Sequence, residues 1–101
     1  MKKLSLFLSF SSFLTLRFMK FFHPPIPIST TVNFYGEPLT FSSKRGMARI
    51  SRVRNRWRIS KNWWRKEIAR EYFQLETVKG TVCEIYRDML TQAWYLQRIG
   101  D

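Results

Sequence analysis

Four arginines stand at alternate positions, Arg52, Arg54, Arg56 and Arg58, and are followed by Trp63, Trp64 and Arg65. Residues two apart on an extended strand project from one face. As a strand, this stretch would therefore present a ladder of guanidinium groups suited to the phosphates of a nucleic acid. Each phosphate neutralised in that way releases condensed counterions, so affinity would fall steeply with salt. Indoles beside Arg65 and Lys66 would add planar surfaces on which unpaired bases stack. Neighbours on a strand point to opposite sides, so at most one of Trp63 and Trp64 can serve, and the other packs inside. The plainer alternative is that both indoles are core or edge packing.

The charge distribution singles out the same region. Residues 44–70 hold eleven of the eighteen basic residues and one acid, Glu67, whereas residues 1–43 carry +3 and residues 71–101 carry −2 of the net +11. A pI near 10.6 points to an anionic partner, either nucleic acid or an acidic protein surface, although solubility alone also accounts for a basic face. The same composition excludes several chemistries. His23 is the only histidine and Cys83 the only cysteine, so His/Cys zinc spacing cannot be assembled, no internal disulfide forms, and a catalytic triad would rest on His23 alone, within the Pro-rich linker. Glu67, Arg70, Glu71, Arg87 and Asp88 read as a salt-bridge network, since nothing fixes the separation of a carboxylate pair. The expectation is a non-enzymatic protein with no metal and no cofactor.

The elements that must position these residues lie in one small domain. Residues 1–31 stand apart as an apolar leader and Pro-rich linker, which leaves residues 32–101 as a small β domain. Residues 4–16 are uncharged and follow Lys2 and Lys3. They are too short to span a bilayer as a helix and have no A-x-A cleavage site. A secretory signal or weak anchor, an interfacial segment, and a leader translated from an upstream start all fit. The last is preferred, with Met19 as the alternative start. Pro24, Pro25 and Pro27 predict an extended linker. A cytoplasmic location follows from this preference. Membrane contact is expected only if residues 1–22 are translated, through residues 4–16 and the basic stretch.

From residue 30 onward, β-branched and aromatic residues dominate. Residues 30–35 predict a strand ending at Gly36-Glu37-Pro38, and residues 39–41 a second. Arg45, Arg49, Arg52 and Arg56 recur at helical spacing. The alternation over residues 52–59 is cleaner, and there are no helix caps, so a strand is preferred. Ser60-Lys61-Asn62 predicts a turn, and residues 67–70 a helical turn or bend. Three strands follow: residues 71–77 with Phe73 and Leu75 inward, 81–87 with Cys83 and Ile85 inward, and 93–99 with Trp94 and Leu96 inward. Residues 78–80 and 88–92 supply the turns. The predicted fold class is mainly β, a small antiparallel sheet or partly open barrel with a non-core N-terminal extension.

An ordered series of short motifs also carries a resemblance. It comprises Asn33-Phe34-Tyr35-Gly36-Glu37-Pro38, Arg56-Trp57-Arg58, Trp63-Trp64-Arg65, Arg70-Glu71-Tyr72-Phe73, Glu84-Ile85-Tyr86-Arg87-Asp88 and residues 94–101. Over about two thirds of its length the chain resembles a family of small bacterial proteins built on a domain of unknown function. Some of these proteins are encoded beside translesion (Y-family) DNA polymerases. The resemblance implies a link to DNA damage tolerance by association only, and it transfers no catalytic residue. Residues 1 to about 30 lie outside the family pattern.

Two functions follow as expectations. The first is a nucleic-acid-binding accessory protein, single-strand-preferring or non-specific, that holds phosphates on Arg52, Arg54, Arg56, Arg58 and Arg65 and stacks bases on Trp63 or Trp64. The second is a protein-interaction module that docks on an acidic surface or adds to a sheet edge.

Overall fold

The computed structural model describes residues 20–63 and 66–100. Six strands follow one another around a closed ring: β1 (Lys20–Val32), β2 (Pro38–Ser43), β3 (Gly46–Trp63), β4 (Lys66–Thr77), β5 (Val82–Asp88) and β6 (Trp94–Gly100). Every neighbouring pair is antiparallel, and β1 closes the ring against β6. The mainly β fold class is as expected.

Period-two alternation fixes which side faces inward. Phe73 pairs with Ile85, Ile85 with Leu96, and Leu96 with Ile26, forming one inward row. Val53, Leu75, Cys83 and Ile99 form the next. Phe41 joins Phe73, Leu75, Cys83, Ile85 and Leu96 in the buried core, and Phe22, Ile26, Ile28 and Trp94 pack around it. A sheet curled on itself buries this row without needing a second layer. No helix among the described residues is long and apolar enough to cross a membrane.

Burial pushes the Cys83 thiol up to about 11. At neutral pH it should therefore resist a thiol reagent in the native protein and react fully once the protein is unfolded in guanidinium. Rapid native labelling would show that β5 opens or is misplaced.

Four expectations are corrected. Residues 20–31 are not a linker outside the domain, because they form most of β1 and close the ring against β6. The prolines are tolerated because β2 joins β1 only from Ser29 onward, and Pro24 and Pro25 fall in an irregularity of the β1–β6 pairing between Phe21 and Ile26. Proline, which lacks a backbone donor, is admitted at such singly paired or bulged positions. The leader itself, residues 1–19, lies outside the described residues. The first strand stops at Val32, and residues 33–37 form a loop. Ser60-Lys61-Asn62 is not a turn. These residues pair with Ala69, Ile68 and Glu67, and the pairing runs on to Trp63 opposite Lys66. Residues 67–70 accordingly belong to β4 rather than to a bend. Ile59 and Ile68 lie diagonally across the pair on one face, which favours continued pairing.

The helical alternative for the basic stretch is also settled. Arg49, Arg52 and Arg56 all lie on β3.

Candidate functional site

The arginine ladder does not survive intact, because β3 carries two irregularities. The pairing with β4 skips between Ile50 and Arg52 and again between Val53 and Asn55. A bulge places one extra residue on a strand and resets its alternation. Arg52 thus lies opposite Glu76 on the outer face, with its Nε donating to Glu76 Oε1 at 3.0 Å. Arg54 occupies the second bulge and is exposed. Arg56 and Arg58 come out on the inward side, opposite Phe73 and Glu71. The period-two pattern identified the strand correctly, but a single face holding Arg52, Arg54, Arg56 and Arg58 does not exist.

Arg56 and Arg58 instead converge on Glu71, which is only 1% exposed. Arg56 Nε donates to Oε2 at 2.7 Å and Arg58 Nε to the same oxygen at 3.4 Å, while Arg87 of β5 donates from Nη2 to Oε1 at 3.0 Å. Burial on its own would raise the Glu71 pKa. The hydrogen bond from Arg56 and the charges of Arg56, Arg58 and Arg87 outweigh it, so the carboxyl sits below the usual range. Stacking holds the guanidinium groups as well, with Arg56 5.1 Å over the Phe73 ring and Arg87 5.6 Å over Trp94. Three cations face one anion here, leaving two positive charges uncompensated at one end of the ring. Arg58, 68% exposed, is the member most open to solvent.

The loop joining β1 to β2 closes over this cluster. Asn33 organises the loop: its Oδ1 accepts from the backbone N–H of Tyr35 at 2.8 Å and of Glu37 at 2.9 Å. Its Nδ2 donates to Glu37 Oε1, its own N–H donates to Glu37 O, and its carbonyl accepts from Gly36 N–H. Asparagine serves such turns because its short side chain reaches the backbone two residues on. Gly36 has φ +79°, a left-handed conformation that favours glycine. The carbonyl of Tyr35 accepts from Arg56 Nη1 at 3.4 Å. On this loop Phe34 is 97% exposed and Tyr35 75%. Their rings meet edge to face at 5.6 Å.

A second aromatic group lies on the outer face. Trp57, Tyr72, Tyr86 and Tyr95 form a row across β3 to β6, with successive ring centroids 5.4, 5.0 and 5.2 Å apart. Arg70 lies 4.6 Å over Tyr86 and donates to the Tyr72 hydroxyl. Tyr72 and Tyr86 are buried, each by its neighbours in the row. The row is therefore cross-strand packing that stiffens the sheet, not an open platform.

Of the remaining predicted site residues, Trp63 ends β3 opposite Lys66. Its side chain, together with Trp64 and Arg65, lies outside the described residues. Beyond Ser60 the β3–β4 hairpin forms an arm past the point where β5 pairs with β4, since that pairing starts at Arg70 and Asp88. Sequence reasoning grouped Arg87 with Glu71, a contact the structure contains, but it did not bring Arg56 and Arg58 into that group, and it missed the exposed loop. The available signal was Glu71 itself, which shares the inward parity of Phe73 and Leu75 and so requires cationic partners. Among the described residues, no group of three or more His, Cys, Asp or Glu is placed to hold a metal ion. Comparison with protein-family models, curated proteins and solved structures finds no match.

Proposed function

We propose that this is a non-enzymatic, nucleic-acid-binding accessory protein that holds backbone phosphates at the basic end of its ring. The supporting observation is the convergence of Arg56, Arg58 and Arg87 on the single carboxylate of Glu71. This places an uncompensated positive field beside a strand, β3, that carries Arg49, Arg52, Arg54 and Lys61 and no acid. Arg54 and Arg58 are the first phosphate ligands, since both are exposed and neither is held by a short bond to a carboxylate. Arg52, tied to Glu76, contributes less, and Arg65, Trp63 and Trp64 stand as further ligands on their residue types alone. The motif resemblance adds a link to DNA damage tolerance by association only.

Titration of a labelled single-stranded oligonucleotide with the full chain, followed by anisotropy at several salt concentrations, tests this reading. Wild type should bind with a strong salt dependence. Arg54→Gln combined with Arg58→Gln should lower the slope of log affinity against log salt by roughly 0.7 for each phosphate no longer neutralised. No binding at low salt, or a slope unchanged in the double variant, would overturn the proposal.

One observation favours a second reading. β2 pairs with β3 only from Gly46 to Arg49. Past Arg49, the β2 side of β3 therefore has no strand partner among the described residues. An acidic extended peptide would find both a sheet edge and arginines there, although charges on an edge also serve simply to discourage unwanted pairing.

A further inference from the structure

We infer that Phe34 and Tyr35 form a stacking platform for unpaired bases, so that the ligand of the arginine cluster is single-stranded nucleic acid rather than duplex. This inference rests on the nucleic-acid reading above and specifies its ligand. Scattered exposed apolar residues are ordinary on protein surfaces. Here, however, two adjacent aromatic side chains project from a loop whose backbone is held by Asn33 and Glu37 through five hydrogen bonds. Neither ring contributes to the buried core. A loop fixed in this way has already lost the freedom that binding would otherwise remove, so stacking on it costs little further order.

The platform and the cations form one unit. Arg56 bonds the Tyr35 carbonyl at 3.4 Å and Glu71 at 2.7 Å, and Arg58 shares Glu71 Oε2 with Arg56. A nucleotide whose base lies on Phe34 or Tyr35 thus has its phosphate beside the excess positive charge. Aromatic side chains next to a basic track are the recurring means of binding single strands, because every base has a π face and only an unpaired one exposes it. In a duplex those faces are stacked away, leaving the arginines alone to act. The immediate surroundings argue against an apolar partner. Asn33 and Glu37 flank the two rings with polar groups; the Glu37 carboxylate, held by Asn33 Nδ2, opposes a phosphate, but the arginines of the cluster outnumber it.

The test compares wild type, Phe34→Ala/Tyr35→Ala and Arg58→Gln, each as the full chain, on single-stranded and duplex oligonucleotides of equal length. A 2-aminopurine probe in the single strand reports stacking. The aromatic double variant should lose about 5- to 100-fold in single-strand affinity, keep its duplex affinity within about twofold and lose the 2-aminopurine quench. Its salt slope should match wild type, because no charge is removed. Its melting temperature should also match, because both side chains lie outside the core. If wild type binds neither ligand, the nucleic-acid reading fails and this inference falls with it. If wild type binds but the double variant weakens neither ligand, or both equally, the platform is disproved while phosphate binding by the arginines stands. Loss in the double variant of binding to anionic vesicles or an acidic protein, with oligonucleotide affinity unchanged, would equally overturn it.

Discussion

Glu71→Gln should destabilise the folded protein by about 3 kcal/mol, the low end of the range for breaking a buried ion pair. The low end applies because Arg58 is largely exposed and recovers water once the carboxylate is gone, whereas Arg56 and Arg87 are more enclosed. For a domain of this size the loss corresponds to a fall in melting temperature of roughly 12–24 °C. The pH dependence sharpens the expectation. The folded-state pKa of Glu71 lies below its unfolded value, which is about 4.3 for a free glutamate. Its contribution is therefore complete above the unfolded value and disappears as pH falls through the folded one. The melting temperatures of wild type and variant should differ most near neutrality and converge in acid. Glu84 acts in the opposite sense: burial raises its pKa despite Arg98, so its protonation favours the fold as pH drops. The variant's acid profile should accordingly flatten or tilt upward. Melting temperatures that coincide at pH 7 would show that the three arginines do not depend on Glu71. Arg52→Gln is the natural control. Its pair with Glu76 is exposed, and such pairs contribute under about 1 kcal/mol.

How much of this is legible in the sequence depends on what each segment's pattern encodes. The sheet formed by β4, β5 and β6 reads directly, because Phe73, Leu75, Cys83, Ile85, Trp94 and Leu96 alternate with polar neighbours between turn residues. Burial in a curled sheet enforces that alternation. β3 reads as a strand but not as a surface. A bulge adds a residue without altering composition, so nothing in the arginine pattern reveals that Arg54 is displaced or that Arg56 and Arg58 face the other way. β1 is hidden by its prolines, whose local meaning is linker until a singly paired edge is known to be available. The loop at residues 33–37 is hidden by Phe34 and Tyr35, which favour strands intrinsically yet are turned outward here by the bonds of Asn33. The three-arginine cluster depends on β5 arriving beside β4 opposite β3, which only the closed topology fixes.

The same topology makes β1 indispensable, and this sets the other large effect. A chain beginning at Ser29 should fail to fold, whereas one beginning at Met19 retains every described residue. The shorter chain loses all the pairing of Lys20, Phe21, Ile26, Pro27 and Ile28 with β6. It also removes Phe22, Ile26 and Ile28 from their packing against the core. Burying an aliphatic or aromatic side chain fully is worth about 1.5–3 kcal/mol, so three half-buried ones together are worth about 2–4 kcal/mol. A domain this small has only several kcal/mol in reserve. The truncation further strips β6 of a neighbour and exposes Leu96 and Ile99 along a bare edge, a template for association with other chains. Near-UV circular dichroism and size-exclusion chromatography should show native packing and a sharp melt for the Met19 chain, and lost packing or aggregates for the Ser29 chain. Equal melts would mean that residues 20–28 are dispensable after all. Both chains carry the same arginines and the same loop at residues 33–37. A difference in oligonucleotide binding between them would therefore show that the charges act only when a closed ring holds them around Glu71.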